Sequence, residues 1–118
     1  MANTYPNKLP ISYKYLQVQM IDISSATKAF VCVPFQGELI GYRGARSATT
    51  TGTAAITLEV NATAHSKAAG LWTAGTDQAE LSVDFTAIAV KDGDVIELVS
   101  DGGSGTASIG TFTLIFRE

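Results

Sequence analysis

Short segments in which apolar and polar residues alternate occur along most of the chain. A period of two places successive side chains on opposite faces of a β-strand. The clearest segment is 54–61, in which Ile56, Leu58 and Val60 alternate with polar residues. Branched and leucine side chains pack well on a pleated surface, so this segment predicts a strand with one buried face.

The segment 11–22 shows the same alternation, with Tyr13 and Tyr15 on the face opposite Leu16 and Val18. Further short apolar segments are separated by turns rich in Gly and Asp, as is typical of successive β-strands. We predict further strands at 29–35, 38–46, 81–86, 95–100 and 107–117.

The segment 62–77 is less regular, since its alanines could support a helical turn while its glycines argue against a long helix. We predict a loop there, with a short strand near Leu71 and Trp72. About seven or eight short strands without a convincing helix are typical of a β-sandwich or jelly roll. The predicted fold class is therefore all-β, a single jelly-roll-like sandwich of antiparallel strands.

Residues 1–12 differ in composition from the rest of the chain. They hold Pro6 and Pro10 among polar residues, and proline favours extended backbone at itself and at the residue before it. We interpret 1–12 as an extended N-terminal arm and 13–118 as one domain.

The run Ala29–Phe35 is apolar on both faces, which predicts a strand buried on both sides. Cys32 lies within it. A single cysteine cannot form an internal disulfide, and we expect Cys32 to be a small buried hydrophobic residue.

Charged residues make up 16% of the chain, the net charge is −3, and the eight basic residues are scattered. Nucleic-acid binding needs clustered Lys and Arg, so this composition argues against it. There is no signal-like segment and no apolar stretch of the roughly 18–20 residues that span a membrane. We therefore expect a protein that is made in a cytoplasm and does not bind membranes.

Candidate chemistry is sparse. His65 and Ser66 with Asp77 could suggest a hydrolase, but their segment is loop-like, and we interpret them as non-catalytic. Asp92, Asp94 and Asp101 lack the spacing of a calcium loop, and Asp-Gly at a hairpin turn explains them instead. We predict no enzyme activity, no metal and no cofactor.

The aromatic and arm residues are better candidates for contact with a partner. Trp72 lies among small residues, and its position leaves a core role and a role in partner contact equally open. Tyr13 and Tyr15 raise the same question. The predicted partner-binding residues are Tyr5, Pro6, Leu9, Pro10 and Trp72.

Three segments together resemble a known family. They are 30–42 (FVCVPFQGELIGY), 55–61 (AITLEVN) and 92–98 (DGDVIEL), followed by a Gly-rich loop and a last Thr/Phe strand. This series resembles the small β-sandwich decoration, or cement, proteins of tailed-bacteriophage capsids.

The resemblance implies a structural virion protein on the capsid exterior that is not an enzyme and needs no cofactor. Its partners would be the major capsid protein, whose neighbouring copies it bridges, and itself, as a homotrimer rather than a homodimer. The arm would make the capsid contact. The alternative is a receptor- or carbohydrate-binding module of a phage fibre or tail, in which Trp72 and nearby loops would hold a glycan.

Deletion of residues 1–10 tests the arm. We expect the truncated protein to keep its fold, because the arm has few core-forming residues, and to bind its partner more weakly. Circular dichroism checks the first expectation, and an unfolded truncated chain would show that the arm is a core strand.

Overall fold

The computed structural model describes residues 12–47, 52–72, 81–102 and 108–118. These residues form nine strands and one short 3₁₀ helix at Ser66–Ala68. The strands are β1 (Tyr13–Met20), β2 (Lys28–Cys32), β3 (Gly37–Arg46), β4 (Ala54–Val60), β5 (Thr63–Ala64), β6 (Gly70–Trp72), β7 (Leu81–Val90), β8 (Val95–Ser100) and β9 (Gly110–Arg117).

The strands form two antiparallel sheets. The first sheet has the order β1-β9-β3-β7, and the second has the order β2-β8-β4-β5, with β6 also paired to β4. The two sheets enclose one cluster of buried apolar side chains. The predicted all-β sandwich is therefore confirmed. Within the described residues, no helix is long and apolar enough to span a membrane.

The alternating pattern sets the inward face of each sheet. Phe112, Leu114 and Phe116 of β9 point into the core, and they face Ile56 and Leu58 of β4 among the buried residues. A slip of one residue in strand pairing would turn these side chains to solvent. Burial of this set therefore fixes the register of β9 against its two neighbours.

Aromatic rings fill the centre between the sheets. The ring centroid of Phe112 lies 5.4 Å from that of Trp72 and 6.2 Å from that of Tyr42. Gly44 makes room for the indole, since a Cβ there would lie 3.0 Å from Trp72. The Tyr42 hydroxyl donates a 2.6 Å hydrogen bond to the Ala68 carbonyl oxygen, and burial raises the pKa of Tyr42 above its ordinary value.

The prediction for the run 29–35 was wrong about where the strand ends and about the burial of both its faces. The strand β2 spans Lys28–Cys32, and it forms one edge of the second sheet. Phe30 is 68% exposed and Cys32 is also exposed, while Ala29 is buried. An apolar run predicts burial of both faces only for a strand with layers on both sides, and nothing in the described residues covers the outer face of β2.

The irregular segment is resolved into short elements. Residues 63–72 contain β5, the 3₁₀ helix and β6, which confirms the short strand predicted at Leu71 and Trp72. Residues 73–77 lie outside the described part of the chain. So do residues 1–11, and the proposed boundary between arm and domain stays a prediction.

The hairpin that joins β4 to β5 turns on two non-glycine residues with left-handed backbone. Asn61 has φ 50° and Ala62 has φ 68°. The Asn61 amide donates to Asp94 Oδ1 at 3.0 Å, and its carbonyl oxygen accepts from the Val95 N–H at 3.0 Å. The Asn61 amide and then the Lys91 N–H lower the pKa of Asp94, so the ionised carboxylate ties this hairpin to the turn before β8.

We expect Ala62→Gly to stabilise the protein by roughly 0.5–1 kcal/mol. A left-handed residue with a Cβ costs about 1–2 kcal/mol, which glycine avoids, and the extra freedom of the unfolded chain offsets part of the gain. Urea denaturation measures the change. The control, Ala64→Gly in the extended β5, should destabilise. An unchanged or lower midpoint for Ala62→Gly would contradict this account of the turn.

Candidate functional site: the tyrosine face

Four side chains of the edge strand β1 point away from the core. Tyr13, Tyr15, Gln17 and Gln19 are exposed, while the residues between them are half-buried or buried. Tyr13 is 48% exposed and Tyr15 is 60% exposed. Alternate residues of one strand lie about 7 Å apart, so the two tyrosines are neighbours on one surface. We call these four residues the tyrosine strip, and the outer face of the first sheet the tyrosine face.

Strand pairing extends each strip residue into a row across the sheet. Tyr13 lies opposite Arg117, which lies opposite Glu38. In the next row, Tyr15 lies opposite Ile115, and Ile115 lies opposite Gly41. The aromatic side chains therefore stand at one edge of the face.

The next two rows carry hydroxyl and amide groups. Gln17 lies opposite Thr113, and Gln19 opposite Thr111. The Gln17 side-chain amide donates to Thr113 Oγ1 at 3.4 Å. This half of the strip can donate and accept hydrogen bonds without bringing a charge to the surface.

Two ion pairs lie on the tyrosine face. Arg117 donates to Glu38 Oε1 through Nε at 3.2 Å and Nη2 at 3.0 Å. Arg43 Nη1 donates to Asp84 Oδ1 at 2.9 Å. Each of the two arginines thus meets one carboxylate, and the local charge of these four side chains sums to zero.

Gly41 allows the second pair to lie close to the sheet. Strand β3 has an irregular register between Leu39 and Gly41. A Cβ at Gly41 would lie 2.7 Å from both Asp84 Oδ1 and the Val83 carbonyl oxygen. The Asp84 carboxylate occupies the space that a side chain at Gly41 would need. No side chain therefore projects from the sheet at Gly41.

An open groove lies at the far edge of the same face. It has a volume of ≈ 450 Å³ and is lined by Gln36, Gly37, Glu38, Ala89, Val90 and Glu118. Ala89 pairs with Glu38 across β7 and β3. The groove therefore continues the row that begins at Tyr13, on the other side of the Arg117–Glu38 pair.

Of the five predicted partner-binding residues, the structure describes only Trp72. Trp72 is 1% exposed and packs in the core. The sequence left a core role and a role in partner contact open for Trp72, and this conformation shows the core role. It offers no surface to a glycan or a protein. Tyr5, Pro6, Leu9 and Pro10 lie outside the described residues, and their role stays a prediction.

Two of the acidic residues considered for a metal site accept backbone hydrogen bonds. Asp101 accepts a hydrogen bond from the Ala55 N–H at 3.0 Å, and Asp94 belongs to the turn described above. His65 precedes the 3₁₀ helix that contains Ser66. Asp77 lies outside the described residues. In the described part of the chain, no three His, Cys, Asp or Glu side chains are grouped so that they could hold a metal ion.

Comparison with known proteins identifies the fold but not a family. No family model and no curated protein matches the chain. Among solved structures, the CBM36-1 domain of a multidomain xylanase from the hindgut metagenome of Trinervitermes trinervoides aligns with a TM-score of 0.56. The identity is 14%, and the alignment covers 87% of this chain and 96% of that one.

A second carbohydrate-binding module, CBM36 in complex with calcium and xylotriose, aligns with a TM-score of 0.51 and 17% identity over 95% of both chains. The catalytic unit of an α-1,3-glucanase from Streptomyces thermodiastaticus aligns with a TM-score of 0.50 and 13% identity, over 94% of this chain and 26% of that one. At these identities the likeness concerns the fold. This chain has the β-sandwich fold that these modules have.

We expect Gly41→Ala to destabilise the protein by about 1–3 kcal/mol, because the new methyl group would meet the Val83 carbonyl oxygen and the Asp84 carboxylate. Urea denaturation measures the change. Ser82→Ala, an exposed position that pairs with Arg43, is the control and should stay within about 0.5 kcal/mol. An unchanged midpoint for Gly41→Ala would show that the close approach of β7 is not tight.

Proposed function

We propose that the protein is a non-catalytic carbohydrate-binding module that binds its ligand on the tyrosine face. The observation that carries the proposal is the pair of exposed tyrosines on one face of the sheet, Tyr13 at 48% and Tyr15 at 60% exposure. Two adjacent exposed aromatic rings have no role in the core. They offer apolar contact area at a low cost in side-chain entropy.

The chemistry of the face suits a sugar polymer. A pyranose ring presents C–H groups on its faces and hydroxyl groups around its edge. Tyrosine rings can pack against the C–H face, while Gln17, Gln19 and Thr111 can exchange hydrogen bonds with the hydroxyl groups. The tyrosine strip therefore combines the two kinds of contact that such a ligand requires.

The fold gives independent support. Two solved structures with similar architecture over almost their whole length are described as carbohydrate-binding modules. This support favours the alternative drawn from the sequence over the capsid-decoration hypothesis. The proposed contact residues differ from that alternative, because Trp72 is buried and the tyrosine strip takes its place.

Substitution of Tyr15 tests the proposal. We expect wild-type protein to be retained on insoluble xylan or cellulose, and Tyr15→Ala to lower the affinity about tenfold to a hundredfold. Loss of an aromatic side chain that stacks on a nucleic-acid base costs on the order of 1–3 kcal/mol, and we expect a loss of similar size for a sugar ring. Depletion assays with the folded variants measure the affinity.

Phe30→Ala provides the matched control. Phe30 is an aromatic residue with similar exposure, 68%, but it lies on β2 in the other sheet. Its loss should leave glycan binding unchanged. If Phe30→Ala weakens binding and Tyr15→Ala does not, the tyrosine face is not the site.

A structural role in a phage virion is the second candidate, and the observation that favours it is the exposed apolar surface around Phe30. A large exposed aromatic side chain on an edge strand is suited to contact with another protein. The partners would be the major capsid protein and further copies of this chain, with the homotrimer favoured. Sedimentation with capsids that lack decoration distinguishes the two candidates, and capsid binding that depends on Phe30 would support the second.

A further inference from the structure

We infer that the ligand of the tyrosine face is an uncharged, extended polysaccharide that lies along β1 rather than across the strands. The inference rests on the proposed function and specifies the class of ligand and its direction. It follows from the charges of the face, the order of side chains along β1, and the position of the open groove.

The pairing of charges favours a neutral ligand. Arg117 is bound to Glu38 and Arg43 to Asp84, so neither guanidinium is available to an acidic sugar without loss of its present partner. The strip itself carries only phenol and amide groups. The outward side chains of β1 also offer no cation to a polyanion.

The order of side chains along β1 favours a ligand parallel to the strand. From Tyr13 to Gln19 the tyrosine strip runs about 20 Å, and none of its four side chains is charged. Ile21 and Ile109, which are 80% and 41% exposed, extend it with apolar surface just beyond the paired ends of β1 and β9. A chain of several sugar rings can keep contact over this whole length.

A ligand that crossed the strands would meet a different surface. From Tyr13 it would pass over the Arg117–Glu38 ion pair before it reached the groove beside Ala89. The two side chains are 39% and 45% exposed, and covering them would remove water from charged groups without a new partner. The path along β1 avoids this cost.

Within the described residues no wall rises beside the tyrosine strip, and this favours a long ligand over a short one. The tyrosine face is the outer surface of a pleated sheet, and the groove lies at its opposite edge. The described residues would therefore contact each sugar ring from one side only. Affinity on such a surface accumulates with the number of rings in contact, in contrast to a deep pocket that encloses one sugar.

Two glutamine substitutions distinguish the two directions. Gln19→Ala removes the far end of the path along β1, and Gln36→Ala removes a residue of the groove at the end of the path across the strands. Isothermal titration calorimetry with xylobiose, xylohexaose and soluble xylan measures the affinities. Polygalacturonate is the anionic probe.

We expect xylohexaose and xylan to bind at least tenfold more tightly than xylobiose, and polygalacturonate to bind more weakly than xylan. Gln19→Ala should lower the affinity for the long ligands about three- to tenfold, the usual effect of losing one hydrogen bond, and leave xylobiose unchanged. Gln36→Ala should have no effect. Binding of xylan should change less than twofold between low and high salt, because no ion pair forms with the ligand.

The outcomes separate this inference from the proposed function. Binding that Tyr15→Ala removes, but that is equal for xylobiose and xylohexaose, depends on Gln36, or is stronger for polygalacturonate, would overturn the inference and leave the proposed function standing. If wild-type protein binds none of these probes and does not bind insoluble cellulose, the inference and the proposed function both fail.

Discussion

The packing of the inward side chains of β9 against the opposite sheet is the constraint on which the rest of the structure depends. This strand lies between β1 and β3, and its three large inward side chains contact the rings and branched residues of the opposite layer. Phe112 lies against Trp72 and Tyr42, and Phe116 lies edge-to-face with Phe35 at 5.0 Å. Close packing makes this arrangement specific, because a strand shifted by one residue would expose every one of these groups. The register of β9 in turn fixes which side chains of β1 and β3 point outward.

The tyrosine face is therefore a consequence of the core. With Leu16 and Val18 held inward, Tyr13 and Tyr15 must stand on the outer surface at the edge of the sheet. The same register brings Arg117 beside Glu38. An exposed surface with an aromatic edge and two ion pairs results from the pairing of strands. Such a surface suits the proposed role, because a polysaccharide chain can be bound from one side while its other side stays packed against neighbouring polysaccharide chains.

The sequence predicted most of the fold, because the alternation in β1, β4 and β9 is strong enough to define both strand and buried face. It could not distinguish an edge strand from a central one. The run 29–35, whose first four residues lie in β2, is apolar at every position, and the identity of its residues does not reveal that one face stays open at Phe30 and Cys32. Trp72 shows the same limit, because a tryptophan between small residues fits a core site or a binding loop. Only the three-dimensional contacts with Gly44 and Phe112 place it inside.

The candidate site was within reach of the sequence but was not assigned from it. Two tyrosines at alternate positions, with apolar residues between and after them, already imply an exposed aromatic pair. The sequence pattern does not show which residues of the neighbouring strands lie beside the two tyrosines.

Mapping of the ligand by nuclear magnetic resonance tests the central claim most directly. Titration of isotope-labelled protein with xylohexaose should shift the backbone amide signals of β1 and β9 and leave those of β2 and β8 in place. Shifts confined to β2 and β8, around Phe30, would contradict the account.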